Sequence, residues 1–297
     1  MNGAEPFRAG YLAIVGCPNV GKSTLMNRLV GAKFSITSSK AQTTRHRIHG
    51  ILTTDTNQFV FVDTPGFQTE YRTALNRAMN RTVSAVLSDV DVILFVIDAR
   101  RWREQDRAVL ARLPGDKPIV LVINKIDRLA DKSALLPFIA ALAAEHPFAE
   151  IVPVSAEKGS NLDELLHAAG KYLPEGPPIF APDELTDCSE RFLAAELLRE
   201  KLFRNLGDEL PYGLTVEIER FDQEDDLRRI YAAVIVDKEA HKAIVIGKGG
   251  ERLKRVASAA RREMEKLFGG KVWLETWVKV KRGWADDERA LKSLGYG

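Results

Sequence analysis

The sequence predicts an α/β domain, a mostly parallel sheet with helices on both faces, followed by a smaller α+β domain. Three observations carry this reading. Tyr11–Val15, Val90–Ile97 and Pro118–Ile123 are short, nearly unbroken apolar runs separated by helix-sized intervals, as strands covered on both faces require. Leu173-Pro174-Glu175-Gly176-Pro177-Pro178 then breaks the period. Beyond it the pattern changes, and 297 residues suffice for two domains at roughly 100–200 residues each. The expected divisions are 1–175, a semi-rigid proline-rich linker at 176–188, and 189–297.

The first strand, Tyr11–Val15, leads into Gly16-Cys17-Pro18-Asn19-Val20-Gly21-Lys22-Ser23, a G-x-x-x-x-G-K-S loop. Its glycines permit the positive φ angles that turn successive backbone N–H groups around a phosphate. Lys22 can reach the β- and γ-phosphate oxygens, and the Ser23 hydroxyl can ligate Mg²⁺. A helix from Lys22 through Thr24 to Leu29 sets its positive end beneath the phosphates.

Lys33–His49 follows, polar and without sustained apolar period, and reads as a mobile surface segment. Within it, the hydroxyls of Thr43 and Thr44 can complete a Mg²⁺ shell. Gly50–Thr54 and Asn57–Val62, around Asp55, form a hairpin. The second run ends in Asp63-Thr64-Pro65-Gly66. A carboxylate at the tip of a buried strand needs a cation or donors, so Asp63 is expected to hold Mg²⁺ through water. The Gly66 N–H is then aimed at the γ-phosphate.

The strand at 118–123 ends in Asn124-Lys125-Ile126-Asp127. The Asp127 carboxylate can accept from N1–H and the 2-amino group of guanine, donors that adenine lacks. Asn124 either braces the loops or meets the O6/N7 edge, and the Lys125 stem can lie along the base. Ile151–Val154 leads to Ser155-Ala156, where a backbone N–H can donate to O6. Asn161 is the expected N-cap of the last helix in this domain.

In the second domain, Ser189–Leu206 carries a helical apolar stripe with charges between. Strands at 214–221 and 230–236 flank a solvated acidic connection, 222–226. A helix ending at Ile246, the G-x-x-G turn Gly247-Lys248-Gly249-Gly250 and a second helix let a nucleic-acid backbone approach closely. Lys248, Arg252, Lys254 and Arg255 supply phosphate contacts there. The strand 271–281 alternates, with at least one of Trp273 and Trp277 expected in the core, and 286–294 forms a terminal helix.

Charge is distributed to match. Residues 238–282 hold 13 Lys/Arg against 5 Asp/Glu, while 181–237 hold 7 against 15, so an anionic partner belongs at the late segment. Two cysteines, Cys17 and Cys188, exclude a disulfide framework and fit a reducing compartment. No run approaches the ~18–20 apolar residues of a membrane span, and the N-terminus lacks a signal-peptide layout.

The ordered set Gly16–Ser23, Thr44, Asp63–Gly66, Asn124–Asp127 and Ser155-Ala156 resembles a translation-factor-type P-loop GTPase domain. The α-β-β-α-α-β order around Gly247–Gly250 resembles a type II KH domain. With Glu209-Leu210-Pro211-Tyr212-Gly213 before the first strand of that part, the whole chain resembles the Era family of bacterial GTPases.

The resemblance implies Mg²⁺-dependent hydrolysis of GTP to GDP, with Lys22, Thr44 and Gly66 in catalytic roles. Ser23, Thr44 and Asp63 would form the metal site, and Gly16–Thr24, Asp63–Phe67, Asn124, Lys125, Asp127, Ser155 and Ala156 the nucleotide site. It implies RNA binding through Ile246–Gly250, Arg252, Lys254 and Arg255. The partner would be small-subunit ribosomal RNA near its 3′ end, and the role assembly of the small ribosomal subunit, coupled to growth control.

Phe67 stands where Ras-like enzymes carry a water-orienting glutamine, and Gln68 where the family often has histidine. Slow intrinsic turnover is therefore expected. Asn19 matches the asparagine of potassium-stimulated relatives, so K⁺ is a further expected cofactor. A cytoplasmic monomer, with peripheral association with the inner membrane, completes the expectation. A P-loop ATPase or kinase, an RNA-binding factor with a regulatory nucleotide site, and a tRNA-modifying GTPase are the alternatives. Asp127 weighs against the first, the intact phosphate positions against the second and the KH-like half against the third.

Overall fold

A computed structural model of the chain describes residues 6–36, 44–66, 73–206 and 213–296. It divides into two compact units, one of 1–35, 44–69 and 79–187, the other of 188–297 with 36–43 and 70–78.

The first unit is built on a six-stranded sheet: β1 (Arg8–Val15), β2 (Ile48–Thr53), β3 (Asn57–Asp63), β4 (Val92–Asp98), β5 (Ile119–Asn124) and β6 (Glu150–Pro153). The order is β2-β3-β1-β4-β5-β6, parallel except for the antiparallel hairpin β2–β3. Every residue of β4 and β5 is buried, which explains their unbroken apolar composition. The unit's helices are α1 (Lys22–Val30), α2 (Ala74–Asp89) from residue 79 onward, α3 (Glu104–Leu110), α4 (Leu135–Glu145) and α5 (Leu162–Gly170).

The C-terminal tips of β1, β3, β4 and β5 lie side by side, and each ends in a chemically loaded turn. This is the crevice where open α/β sheets bind ligands.

Two expectations for this unit need correction, and one proline-rich stretch is held more closely than its composition indicates. Much of the described part of 33–49 is interior: Phe34, Ser35, Ile36, Thr44 and Arg45 are buried, while Arg47 is exposed. Asn161 occupies the N-cap position in left-handed conformation, φ 59°, but makes no side-chain cap; its amide donates to Pro153 O at 2.9 Å. Residues 179–187 hold to the sheet edge. Buried Gln58 accepts from Ile179 N (2.6 Å) and Phe180 N (2.9 Å) and donates to Phe180 O (2.9 Å). Ile51 N donates to Leu185 O at 2.9 Å.

The second unit contains α6 (Glu190–Asn205), β7 (Leu214–Glu224), β8 (Leu227–Val236), α7 (Glu239–Ile246), α8 (Glu251–Phe268), β9 (Lys271–Val280) and α9 (Glu288–Ser293). Strands β7 and β8 pair antiparallel and β8 and β9 parallel. Val256, Ala260 and Met264, spaced by four on α8, pack in one core with Leu198 and Leu202 of α6 and Ile230 and Val234 of β8.

The acidic run 222–226 is mostly strand: β7 extends to Glu224, and the turn is Asp225-Asp226, with Asp225 at φ 50°. Four charged residues of α6, Glu196, Arg199, Glu200 and Lys201, are buried, while Arg191 and Arg204 are exposed. Arg199 meets Glu196 at 2.6 Å. Neither β9 tryptophan is fully buried. Trp273 is 54% exposed and Trp277 half-buried, while the core tryptophan is Trp284, whose Nε1 donates to Gly213 O at 3.2 Å.

Candidate functional site

Two positions in the phosphate loop accept only glycine. Gly16 lies at φ 148°, where an added Cβ would sit 2.2 Å from Val96 O. Gly21 lies at φ 102°, where it would sit 2.4 Å from Asn124 Nδ2. The loop therefore curls against the tips of β4 and β5. Lys22, buried, donates from Nζ to Gly16 O and Cys17 O at 3.0 Å each. Burial lowers its pKa, and nearby Asp63 opposes that shift. Cys17 is buried, and its thiol is pushed up to about 12, first by burial and then by Asp106, so it has no thiolate character.

Beside the lysine lies the expected metal cluster. Ser23 Oγ and Thr44 Oγ1 are 3.0 Å apart, and Thr44 Oγ1 donates to Asp63 Oδ2 at 3.1 Å. A hydroxyl that no motif marks joins them: Ser35 Oγ donates to Asp63 Oδ2 at 2.5 Å. Asp63 is fully buried and its Oδ1 has no hydrogen-bond partner. Burial raises its carboxyl pKa, with Ser35, Lys22, Ser23 and Thr44 pulling it down. An orphaned carboxylate oxygen among hydroxyls fits a hard cation. Among the described residues no group of three or more His, Cys, Asp or Glu could hold a metal alone. The donors therefore suit Mg²⁺ that brings phosphate and water ligands with it.

Thr64 Oγ1 donates to Ile14 O at 2.9 Å, tying the Asp63–Gly66 turn to β1. A Cβ on Gly66 would approach Lys22 Nζ to 3.3 Å, which places this turn over the lysine. Phe67, Gln68 and Thr43 lie outside the described residues.

At the base end, Asn124 is a brace. Its Nδ2 donates to Val20 O at 2.9 Å, and its Oδ1 accepts from Lys125 N (2.8 Å) and Ala156 N (3.0 Å). One buried amide thus joins the phosphate loop to both base-proximal loops, and of the Ser155-Ala156 backbone donors expected near guanine O6, the Ala156 N–H is engaged here. Asp127 is exposed, with Oδ1 held by Ser155 Oγ at 2.5 Å. Lys125, at φ 67°, donates from Nζ to Asn19 O and, at 3.1 Å, to Asp98 Oδ2.

Asp98 escaped the sequence reading. It ends β4 as Asp63 ends β3, and the rule applied to Asp63 would have found it. Burial works against its charge, but hydrogen bonds from Arg100 and Lys125 hold its carboxyl well below the usual range.

In the second unit, Gly247 (φ 73°), Gly249 (φ 59°) and Gly250 (φ 81°) form the turn between α7 and α8. A Cβ on Gly247 would meet Arg252 Cβ at 2.7 Å, while Gly249 and Gly250 face open space. Leu253, Lys254, Ala257 and Arg261 of α8 and Leu274 and Thr276 of β9 line a groove of about 370 Å³ beside the turn. Lys248, Lys254 and Arg255 are exposed, whereas Arg252 donates from Nη1 to Ile244 O at 2.7 Å and so serves the turn itself. An apolar floor, a close-approach turn and flanking cations suit an unstacked single strand.

Comparison with known proteins covers both parts of the chain. Residues 11–125 match the family model described as 50S ribosome-binding GTPase, and 209–285 match that of the KH domain. The chain is similar to GTPase Era of Nitrosomonas eutropha, 59% identical over 293 residues and 99% of each chain. It is 57% identical to GTPase Era of Neisseria meningitidis serogroup A over 98% of this chain and 96% of that one. An Aquifex aeolicus Era variant bound to GDP·AlF₄⁻ is 43% identical, with TM-score 0.95 over 98% of this chain and 100% of the other. A structure of Era with MgGDPNP and nucleotides 1506–1542 of 16S ribosomal RNA is also 43% identical with TM-score 0.95, over 98% and 99%.

Proposed function

The chain belongs to the Era family of GTPases, and on that premise we propose a GTP-hydrolysing switch that binds small-subunit ribosomal RNA near its 3′ end during assembly of the small ribosomal subunit. The observation that supports this is that one chain carries Lys22, Thr44 with Asp63, and Asp127 with Ser155 arranged as a phosphate, metal and guanine site would need, together with a cationic G-x-x-G groove.

The nucleotide site would work as follows. Lys22 exchanges the carbonyls of Gly16 and Cys17 for β- and γ-phosphate oxygens. With the loop N–H groups it then stabilises charge on the transferring phosphoryl group. Ser23, Thr44 and Asp63 would hold Mg²⁺, which when bound neutralises phosphate charge. Gly66 contributes its N–H beside Lys22. Asp127, oriented by Ser155, takes the guanine N1–H and 2-amino donors, and Asn124 keeps the loops in register. Apolar Phe67 leaves water unpositioned, so turnover is slow until RNA, a ribosomal partner or K⁺ near Asn19 raises it.

In the second unit, Lys248, Lys254 and Arg255 neutralise phosphates, while Ile246 and the Gly247–Gly250 turn let the strand approach. A GTPase part ending before residue 176 and an RNA-binding part from 189 belong to the same reading, with 179–187 seated on β2 and β3. The reading places a monomer in the cytoplasm, with any membrane attachment confined to the surface. Among the described residues no helix is long and apolar enough to cross a membrane.

Crosslinking to total cellular RNA in the GDPNP and GDP states tests this. Enrichment of the 16S 3′ end, changing with nucleotide, is expected; recovery of no preferred RNA in either state would refute it.

A further inference from the structure

Ser35 lies outside every motif, yet it is built into the metal cluster. It is 1% exposed, and its hydroxyl meets Asp63 Oδ2 at 2.5 Å. Its backbone is fixed independently by Asn27 on α1. Asn27 Oδ1 accepts from Phe34 N (3.1 Å) and Ser35 N (3.0 Å), and Asn27 Nδ2 donates to Ser35 O at 2.6 Å. Phe34 and Ile36, on either side, are buried and anchor the same stretch. The helix that begins with Lys22 and Ser23 therefore also delivers the Ser35 hydroxyl to Asp63.

An aspartate carboxylate rotates over a broad, roughly two-fold torsional profile, so without partners it has no fixed metal-facing oxygen. Here Oδ2 is held by two hydroxyls, Ser35 and Thr44, and Oδ1 is left buried without a partner. That division of labour is what a carboxylate needs to offer one oxygen to a metal-bound water. Thr44 itself belongs to the expected metal shell, so Ser35 is the donor able to stay on Oδ2 when the metal binds.

We propose that Ser35, clamped by Asn27, is the positioning residue for Asp63: it fixes the carboxylate so that Oδ1 faces the Mg²⁺ shell. The inference rests on the metal-assisted nucleotide site proposed above. Partners of a ligating carboxylate typically contribute 10–100-fold to metal affinity.

The test uses the full chain loaded with N-methylanthraniloyl-GDP, following its release as Mg²⁺ is titrated and again in excess EDTA. S35A is expected to raise the Mg²⁺ midpoint for slowing release by about 10–100-fold, with release in EDTA within about twofold of wild type. S35C, nearly the same size with a weaker donor, is expected to shift the midpoint in the same direction, and it carries the test alone if S35A does not fold. An S35A midpoint within about twofold of wild type would overturn the proposal. So would release accelerated equally in Mg²⁺ and EDTA, which marks general loosening, or an S35C midpoint equal to wild type, which marks packing. Wild-type release indifferent to Mg²⁺ would instead overturn the site reading itself, and this inference with it.

Discussion

Replacing Asn124 by alanine asks whether this amide braces the loops or reads the base. The side chain is buried and makes three hydrogen bonds at 2.8–3.0 Å, to Val20 O and from Lys125 N and Ala156 N. At about 1 kcal/mol net for each, N124A removes about 3 kcal/mol of loop organisation. Part of that appears as lost stability of the free protein. The remainder falls on binding, because the nucleotide must then order three loops that were already held. If half falls there, the GDP dissociation constant rises about tenfold.

The informative assay is a cycle: GDP and 7-deaza-GDP, which lacks N7, titrated calorimetrically into wild type and N124A. A brace makes the two changes additive, within about 0.5 kcal/mol. A coupling above about 1 kcal/mol would show that the amide contacts N7, and unchanged GDP affinity in N124A would show that the brace has no bearing on binding.

Three further outcomes are expected. G16A forces a Cβ to within 2.2 Å of Val96 O at a φ of 148°, and should cost roughly 2 kcal/mol or more, lowering the melting temperature by about 4–8 °C. D98N should lower stability at neutral pH. Because the folded pKa of Asp98 lies below the ordinary aspartate value of 3.8, its contribution is present above that pH and lost as pH falls toward the folded value. The gap between wild type and D98N in thermal melts should therefore narrow only in acid. W284A should cost about 3–5 kcal/mol, since Trp284 is fully buried, while W273A, at a 54% exposed position, should stay within about 0.5 kcal/mol.

The nucleotide boxes were legible in the sequence because phosphate and guanine chemistry demands particular residues at fixed spacing. Gly16 and Gly21 are required by φ and by close approach, and the apolar runs before Gly16, Asp63 and Asn124 locate these residues at strand tips. Ser35 and Asn27 were not legible, because their link to Asp63 depends on how the chain turns after α1 and on no spacing rule.

Gln58 looked like an ordinary polar strand residue; its burial follows from residues 179–180 folding back over it, a contact more than 120 positions away. The charges of α6 sat between apolar positions in the helical pattern, yet four of them are buried, with Arg199 paired to Glu196 in the interior. Alternation in β9 was read correctly. Which face the core lies on was not, and the buried tryptophan proved to be Trp284 after the strand.

The central claim is that one chain couples a slow GTP site to RNA held at the Gly247–Gly250 groove. The direct measurement is GTP turnover with and without a 16S 3′-end oligoribonucleotide, for wild type and for a variant carrying K248E and K254E. The account predicts that RNA accelerates wild type severalfold or more and leaves the variant at its basal rate, with basal rates equal. Turnover unaffected by RNA in wild type, or accelerated equally in both proteins, would contradict it.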